Sequence, residues 1–198
     1  FLNFIRQIMV LIDGKKVSAE IRGRLEKETA ELKTTTGRTP GLATVLVGED
    51  PASAVYVRNK NKICGEVGFQ SFGQNLSAKT TEAQLLDVIK ELNENDEVNG
   101  ILVQLPLPDH IDEEKVLLSV DPEKDVDGFH PINVGRLAIG NALLTPCTPT
   151  GIIALLDYYA IEIAGKHAVV LGRSNIVGKP VANLLLQRDA TVTICHSK

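Results

Sequence analysis

Apolar positions along the chain switch between a helical and a strand-like period, and the switches cut it into alternating elements. Over residues 15–34, Val17, Ile21 and Leu25 recur one turn apart among Lys, Arg and Glu, which predicts a helix ending near Gly37 and Pro40. Leu42 to Val47 is a continuous apolar run of the buried-strand type, closed by Gly48-Glu-Asp-Pro51. Ser53 is a plausible cap for a helix reaching Val67, and Gly68 to Leu76 reads as extended. Glu82 to Leu92 is amphipathic, with Leu85, Leu86 and Ile89 on one face. Asn99-Gly100 opens a strand Ile101–Val103 that runs into Gln104-Leu-Pro-Leu-Pro108, and a short helix fits Glu113 to Ser119. A further helix begins near Thr148-Pro-Thr-Gly151. Strands at Ala168–Leu171 and Thr191–Cys195 then flank a helix from Pro180 to Gln187.

This β-α-β-α rhythm predicts an α/β fold with a largely parallel sheet. A boundary near residue 147 divides the chain into residues 9–147, one α/β domain, and residues 148–198, the opening βαβ of a second. Two parallel strands and one crossover helix cannot bury both faces of a sheet, so the second unit is expected to be truncated. At the other end, the apolar stretch Phe1 to Ile12 is shorter than the roughly 20 residues a membrane span needs. It also lacks the small-residue cleavage site of a secretory signal. Met9, the sole methionine, reads either as the natural start, with Phe1 to Ile8 as added or upstream sequence, or as part of a native N-terminal extension.

Composition narrows the function. Hydrophobic residues make up 43% and charged residues 23%, a globular balance, and the net charge of −4 gives no basic footprint for nucleic acid. Cys64, Cys147 and Cys195 are odd in number and widely spaced, without a CxxC pair, which argues against a disulfide framework or zinc site and for a reducing compartment. His110, His130, His167 and His196 show no ligand spacing, so no metal is expected.

Three segments carry candidate chemistry. His167-Ala-Val-Val-Leu-Gly172-Arg-Ser174-Asn-Ile-Val-Gly178-Lys-Pro180 is a strand, a tight turn and a helix start. Such a turn offers backbone N–H groups and the positive end of a helix to a phosphate. It is a variant of the dinucleotide fingerprint, with Ser174 at the second glycine position; an ordinary strand–helix turn is the lesser alternative for this segment alone. The next strand ends Cys195-His-Ser197-Lys198, without the acid that would hold the ribose of NAD. Arg173 and Ser197 suit a 2′-phosphate, which favours NADP.

Ser53-Ala-Val-Tyr56-Val-Arg-Asn-Lys60 puts Tyr56 and Lys60 one turn apart on a helix. A tyrosine stacks on an aromatic ligand and a lysine shuttles protons. With an unperturbed pKa of about 10.4, that lysine needs burial or positive neighbours such as Arg58 and Lys62 to work near neutrality. Taken by itself the pair is more often a solvated face. A YxxxK pair also marks short-chain dehydrogenases, but there it follows the nucleotide turn, whereas here it precedes it. Gln104 stands where a buried strand ends, the usual place for a ligand crevice. Asp125-Val-Asp127-Gly128 adds carboxylates on a loop. An EF-hand register fails, because it puts Val134 where a bidentate Glu is required.

Together, GEDPASAVYVRNK (48–60), GILVQLPLP (100–108), KDVDGFHPINVGRL (124–137), PCTPTG (146–151), GRSNIVGKP (172–180) and ATVTICHSK (190–198) resemble one family, bifunctional methylenetetrahydrofolate dehydrogenase/methenyltetrahydrofolate cyclohydrolase. The resemblance implies an N-terminal α/β catalytic domain facing a C-terminal Rossmann-type domain that binds NADP. It also implies a small-molecule folate substrate, a homodimer and a cytoplasmic place in one-carbon metabolism, with no nucleic-acid or membrane partner. By resemblance, Lys60 is the catalytic lysine, Tyr56 packs on the folate, Gln104 tunes Lys60, and Asp127 anchors the pterin. Val103 and Leu105 share the substrate motif, and Gly172, Arg173, Ser174 and Ser197 form the cofactor site. It implies too that family members continue past residue 198. The rival readings are a monofunctional NAD(P) dehydrogenase and a folate- or nucleotide-binding remnant without catalysis.

Overall fold

A computed structural model describes residues 11–198. The reading of Met9 as the start lies outside the described residues. Helix α1 (Gly14–Thr36) is capped by Asp13, whose carboxylate accepts from Lys15 N and Lys16 N, and it ends on Gly37 in the left-handed conformation. Strand β1 (Gly41–Val47) follows, then α2 (Pro51–Glu66). The cap of α2 is Asp50 rather than Ser53: Ser53 is buried in the first turn, and its N–H donates to Asp50 Oδ2 at 2.8 Å. Pro51 at the first helical position loses no hydrogen bond that the helix would have made. The stretch after Gly68 supplies two short strands, β2 (Gln70–Ser71) and β3 (Gln74–Leu76).

Helix α3 (Glu82–Glu94) opens with a reciprocal capping box between Thr81 and Gln84. It leads to β4 (Gly100–Val103) and α4 (Glu113–Ser119). β2, β3 and β4 all pair with β1 in parallel; β2 and β3 occupy successive parts of one edge and β4 the other. The core lies where Leu85, Ile89 and Leu92 of α3 meet Ala43, Val45 and Val47 of β1 and Ile101 and Val103 of β4. Every residue of β4 is buried, as a parallel strand covered on both faces requires.

The segment after the DVDG loop forms α5 (Pro131–Ala138), a helix the apolar periodicity does not predict. Its apolar Ile132 and Val134 face solvent, while Asn133 and Leu137 are buried. Helix α6 (Cys147–Tyr158) then leads into a βαβ unit of Rossmann type: β5 (His167–Leu171), α7 (Gly178–Leu186) and β6 (Thr191–Cys195), with the strands parallel. α7 begins before Pro180, not at it. A smaller core joins Val181 and Leu185 of α7 to Ile163 and Ala190, with Ile152, Ile153 and Leu156 of α6 packed on it. Tyr159 Oη accepts from Asp13 N at 2.9 Å, and Tyr158 Oη donates to Glu20 at 2.7 Å, tying the end of α6 to α1. Among the described residues no helix is long and apolar enough to cross a membrane.

Candidate functional site

Parallel strands end on one side of a sheet, and ligand crevices open there. At that end of the first sheet, the chain beyond Val103 stays attached to β1 because Gln104 N donates to Val45 O at 2.9 Å. Gln104 therefore leaves the strand in a fixed direction. Its Nε2 donates to Leu105 O at 2.7 Å, which turns its carbonyl oxygen toward α2. Lys60 Nζ donates to that Oε1 at 3.2 Å. α2 itself is pinned to β1 by Thr44 Oγ1 donating to Asn61 Oδ1 at 2.9 Å. An amide partner holds the ammonium in place without adding the negative charge that would lock it into an ion pair.

Asp127 belongs to the same neighbourhood. Burial pushes its carboxyl above the usual carboxylate range; the Lys60 ammonium opposes this, and the Asp125 carboxylate adds to it. The Cys147 thiol, at the start of α6, is pushed up by burial and next by the charge of Asp127. Its sulfur donates to Val126 O at 3.7 Å. Tyr56 stands one turn before Lys60 and is 62% exposed, open to contact from a flat ligand. Val103 differs from the other expected residues. Its side chain is buried in the core, which leaves only its backbone to meet a ligand.

The second cluster sits at the ends of β5 and β6. Gly172 N donates to Cys195 O at 2.7 Å and holds the two strand ends together. Gly172, Arg173, His196, Ser197 and Lys198 line a cleft of about 510 Å³ there. A Cβ on Gly178 would stand 2.4 Å from Gly172 O, so the helix approaches this turn as closely as only glycine permits. Ser174 is partly committed: its Oγ accepts from Val177 N and Gly178 N, both at 3.2 Å, and so caps α7. Two of the N–H groups expected to be free for a phosphate are therefore in use. Among the described residues no acidic side chain lines the cleft, whereas Arg173 and Lys198 bring positive charge. That donor set fits a phosphorylated ribose.

Leu105, Leu117, Phe129 and Leu137 on one side, and Ile176 and Pro180 on the other, wall a cavity of about 660 Å³ between α4, α5 and α7. It reaches Leu105, next to Gln104, and Asn175, next to Ser174, while Lys60 and Gly172 do not line it. Lys198, Cys147 and Asp125 are not among the site residues expected from sequence. Lys198 adjoins Ser197 and Asp125 lies in the DVDG loop, whereas Cys147 carries no local signal and enters the site through the fold alone.

Comparison with known proteins agrees with this arrangement. The family described as tetrahydrofolate dehydrogenase/cyclohydrolase, catalytic domain, matches residues 12–127, and its NAD(P)-binding domain matches residues 146–198. The chain belongs to this family. It is similar to the bifunctional protein FolD of Streptococcus gordonii, 55% identical over 188 residues, covering 95% of this chain and 66% of that protein. The chain thus spans just under two thirds of that curated relative's length. A crystal structure of bifunctional FolD methylenetetrahydrofolate dehydrogenase/cyclohydrolase from Campylobacter jejuni superposes with a TM-score of 0.93 at 49% identity, covering 96% of this chain and 67% of that one. The Trypanosoma brucei enzyme, solved with NADP cofactor and inhibitor, superposes with a TM-score of 0.90 at 44% identity, covering 94% and 64%.

Proposed function

We propose that the protein interconverts 5,10-methylenetetrahydrofolate, 5,10-methenyltetrahydrofolate and 10-formyltetrahydrofolate by NADP-dependent hydride transfer followed by hydrolysis. The observation that carries this reading is the hydrogen bond between Lys60 and Gln104 at the end of β4. Residues 9–147 act as the catalytic, folate-binding domain and residues 148–198 as part of the cofactor domain. Arg173 and Ser197 hold the 2′-phosphate, Gly172 admits the pyrophosphate close to the backbone, and Ser174 keeps the turn in shape through its cap on α7. Bound NADP⁺ supplies the acceptor for the hydride that leaves the carbon between N5 and N10.

The chain's own residues do the rest. Tyr56 packs against the folate, Asp127 accepts hydrogen bonds from the pterin edge, and Val103 (through its backbone) and Leu105 line the substrate's path. The methenyl carbon left by oxidation is cationic and open to water. As the neutral amine, Lys60 takes a proton from the attacking water and passes it to N5 as the bond to N5 breaks, while the hydroxyl proton of the adduct leaves to solvent, giving 10-formyltetrahydrofolate. Gln104 keeps the Lys60 nitrogen aimed at that carbon. The free thiols Cys64, Cys147 and Cys195 support a cytoplasmic setting. The protein's assembly is read as a homodimer.

The test is a side-by-side assay of both activities on protein extended to the length of its relatives, as wild type and Lys60→Ala. Wild type is expected to perform both reactions, and the variant to lose cyclohydrolase turnover by about 10²-fold or more. Near-normal hydrolysis in the variant removes lysine from its role. Inactivity of the wild type on all three folates moves the binding-remnant reading to the front.

A further inference from the structure

We propose that Asp125 is a positioning residue for Asp127: its buried carboxylate, clamped by His130 and Asn133, folds the 124–130 loop onto β4 and presents Asp127 to the site. This rests on the reading of Asp127 as the group that grips the folate ring. Asp125 is 5% exposed, yet it has no cation partner among the described residues. One oxygen, Oδ2, accepts from His130 N at 2.8 Å and from Asn133 Nδ2 at 2.9 Å. Both donors are neutral. A buried charge held only by neutral donors is costly, and such groups persist where they serve a site.

Asn133 is arranged for the same end. It is 1% exposed and gives both amide protons away, one to Asp125 and one to Pro122 O at 2.8 Å, while its own Oδ1 is left without a partner. An orphaned buried acceptor is destabilising, so the amide's orientation favours the clamp over its own satisfaction. The backbone completes the grip. Asp125 bridges to Ile101 of β4, and Ile101 N donates to Lys124 O at 2.7 Å. The loop then packs so closely that a Cβ on Gly100 would lie 2.4 Å from Val126 Cγ1. One on Gly128, whose φ is +64°, would lie 3.1 Å from Pro146 N. The segment bearing Asp127 is therefore held from β4, from α5 and from the start of α6.

The clamp also places one negative charge behind another. Facing Asp127 are the Lys60 ammonium from α2, the Cys147 thiol from α6, and Asp125 on its own loop. The other charged and titratable groups nearby are turned elsewhere. Lys124 Nζ donates to the carbonyls of Leu92, Asn93 and Asn95, and His130 Nδ1 accepts from Ile132 N. A carboxylate beside Asp127 favours its protonated form, so Asp125 adds to the larger effect of burial on the pH at which Asp127 becomes an acceptor.

Asp125→Asn tests this, because the amide oxygen can take both hydrogen bonds while the charge disappears. The Asp127 carboxyl is followed by carbon-13 NMR titration of the full chain, with Asp127→Asn used to assign its resonance. The acid limb of kcat/KM for the folate substrate is recorded alongside. In Asp125→Asn the Asp127 midpoint is expected to move to lower pH and the acid limb to move with it. An unmoved midpoint overturns the proposal. A moved midpoint with a stationary acid limb upholds the coupling and overturns instead the role given to Asp127. Asn133→Ala, which loosens the clamp and keeps the charge, provides a second arm should Asp125→Asn not fold. There the folate KM is expected to rise about tenfold, and an unchanged KM overturns the proposal.

Discussion

Replacing Gly178 by alanine measures how tightly α7 must approach the glycine turn. A Cβ at this position would stand 2.4 Å from Gly172 O, 2.7 Å from Gly172 C and 2.9 Å from Arg173 Cα. All three are backbone atoms, so no side chain can swing aside. Carbon–oxygen contacts settle at about 3.3–3.6 Å, which requires the turn and the helix to separate by about 1 Å. Alanine returns about 1 kcal/mol in helix propensity, while overpacking of this kind costs about 1–3 kcal/mol. The expected net is a destabilisation of about 1 kcal/mol. The same displacement stretches the cap from Ser174 to Val177 N and Gly178 N and moves Arg173, so NADP affinity is expected to fall tenfold or more, equivalent to about 1.4 kcal/mol.

Gly23 is the control. It lies inside α1 with nothing within 4 Å of an added Cβ, so Gly23→Ala is expected to stabilise by about 0.4–1 kcal/mol. The chain has no tryptophan, so urea unfolding is best followed by far-ultraviolet circular dichroism, with NADP binding measured by calorimetry. If Gly178→Ala matches Gly23→Ala in midpoint and binds NADP like wild type, the close approach does not shape the site.

Two further predictions follow from burial. Leu85 is fully buried between α3 and the sheet, and Leu85→Ala is expected to cost about 2–5 kcal/mol in urea unfolding; a loss below about 1 kcal/mol would mean that the core collapses around the change. The Asp127 carboxyl is held above its unfolded pKa of about 3.9, chiefly by burial, so the native state binds its proton more tightly than the unfolded one. Its ionised form therefore costs stability above the folded pKa, and that cost fades as the pH falls through it. Asp127→Asn is expected to melt higher than wild type near pH 7.5, with the gap closing toward pH 4 or so. A lower melting temperature at pH 7.5, or a gap that widens on acidification, contradicts the reasoning.

Much of the fold is legible in the chain because many elements have a local cause. The unbroken apolar run of β1 and the Leu85–Ile89–Leu92 face of α3 mark themselves, and Gly37, Gly48 and Gly68 punctuate them with left-handed turns. α5 hides because its burial runs against its hydrophobicity: Ile132 is 48% exposed while Asn133 is buried to serve Asp125. The cap of α2 was read at Ser53 because serine and aspartate both suit that role. Only the geometry shows that Asp50 holds it and that Ser53 is inside the helix.

The site divides along the same line. Tyr56 with Lys60, and Gly172 with Gly178, are neighbours through helix and turn geometry, so the sequence alone determines their pairing. It also determines the order of the motifs by which the family is known. Tertiary structure decided what the motifs do to one another. Lys60 and Gln104 are 44 residues apart and meet only because β1 and β4 pair in parallel beneath α2. Asp127 gains its electrostatic setting only when Lys60, Asp125 and Cys147 converge from three segments. The reason is range. Backbone propensity and capping act over a few residues and leave a signature in the string, whereas desolvation and Coulomb forces act through space and depend on which distant residues the packed core brings within reach.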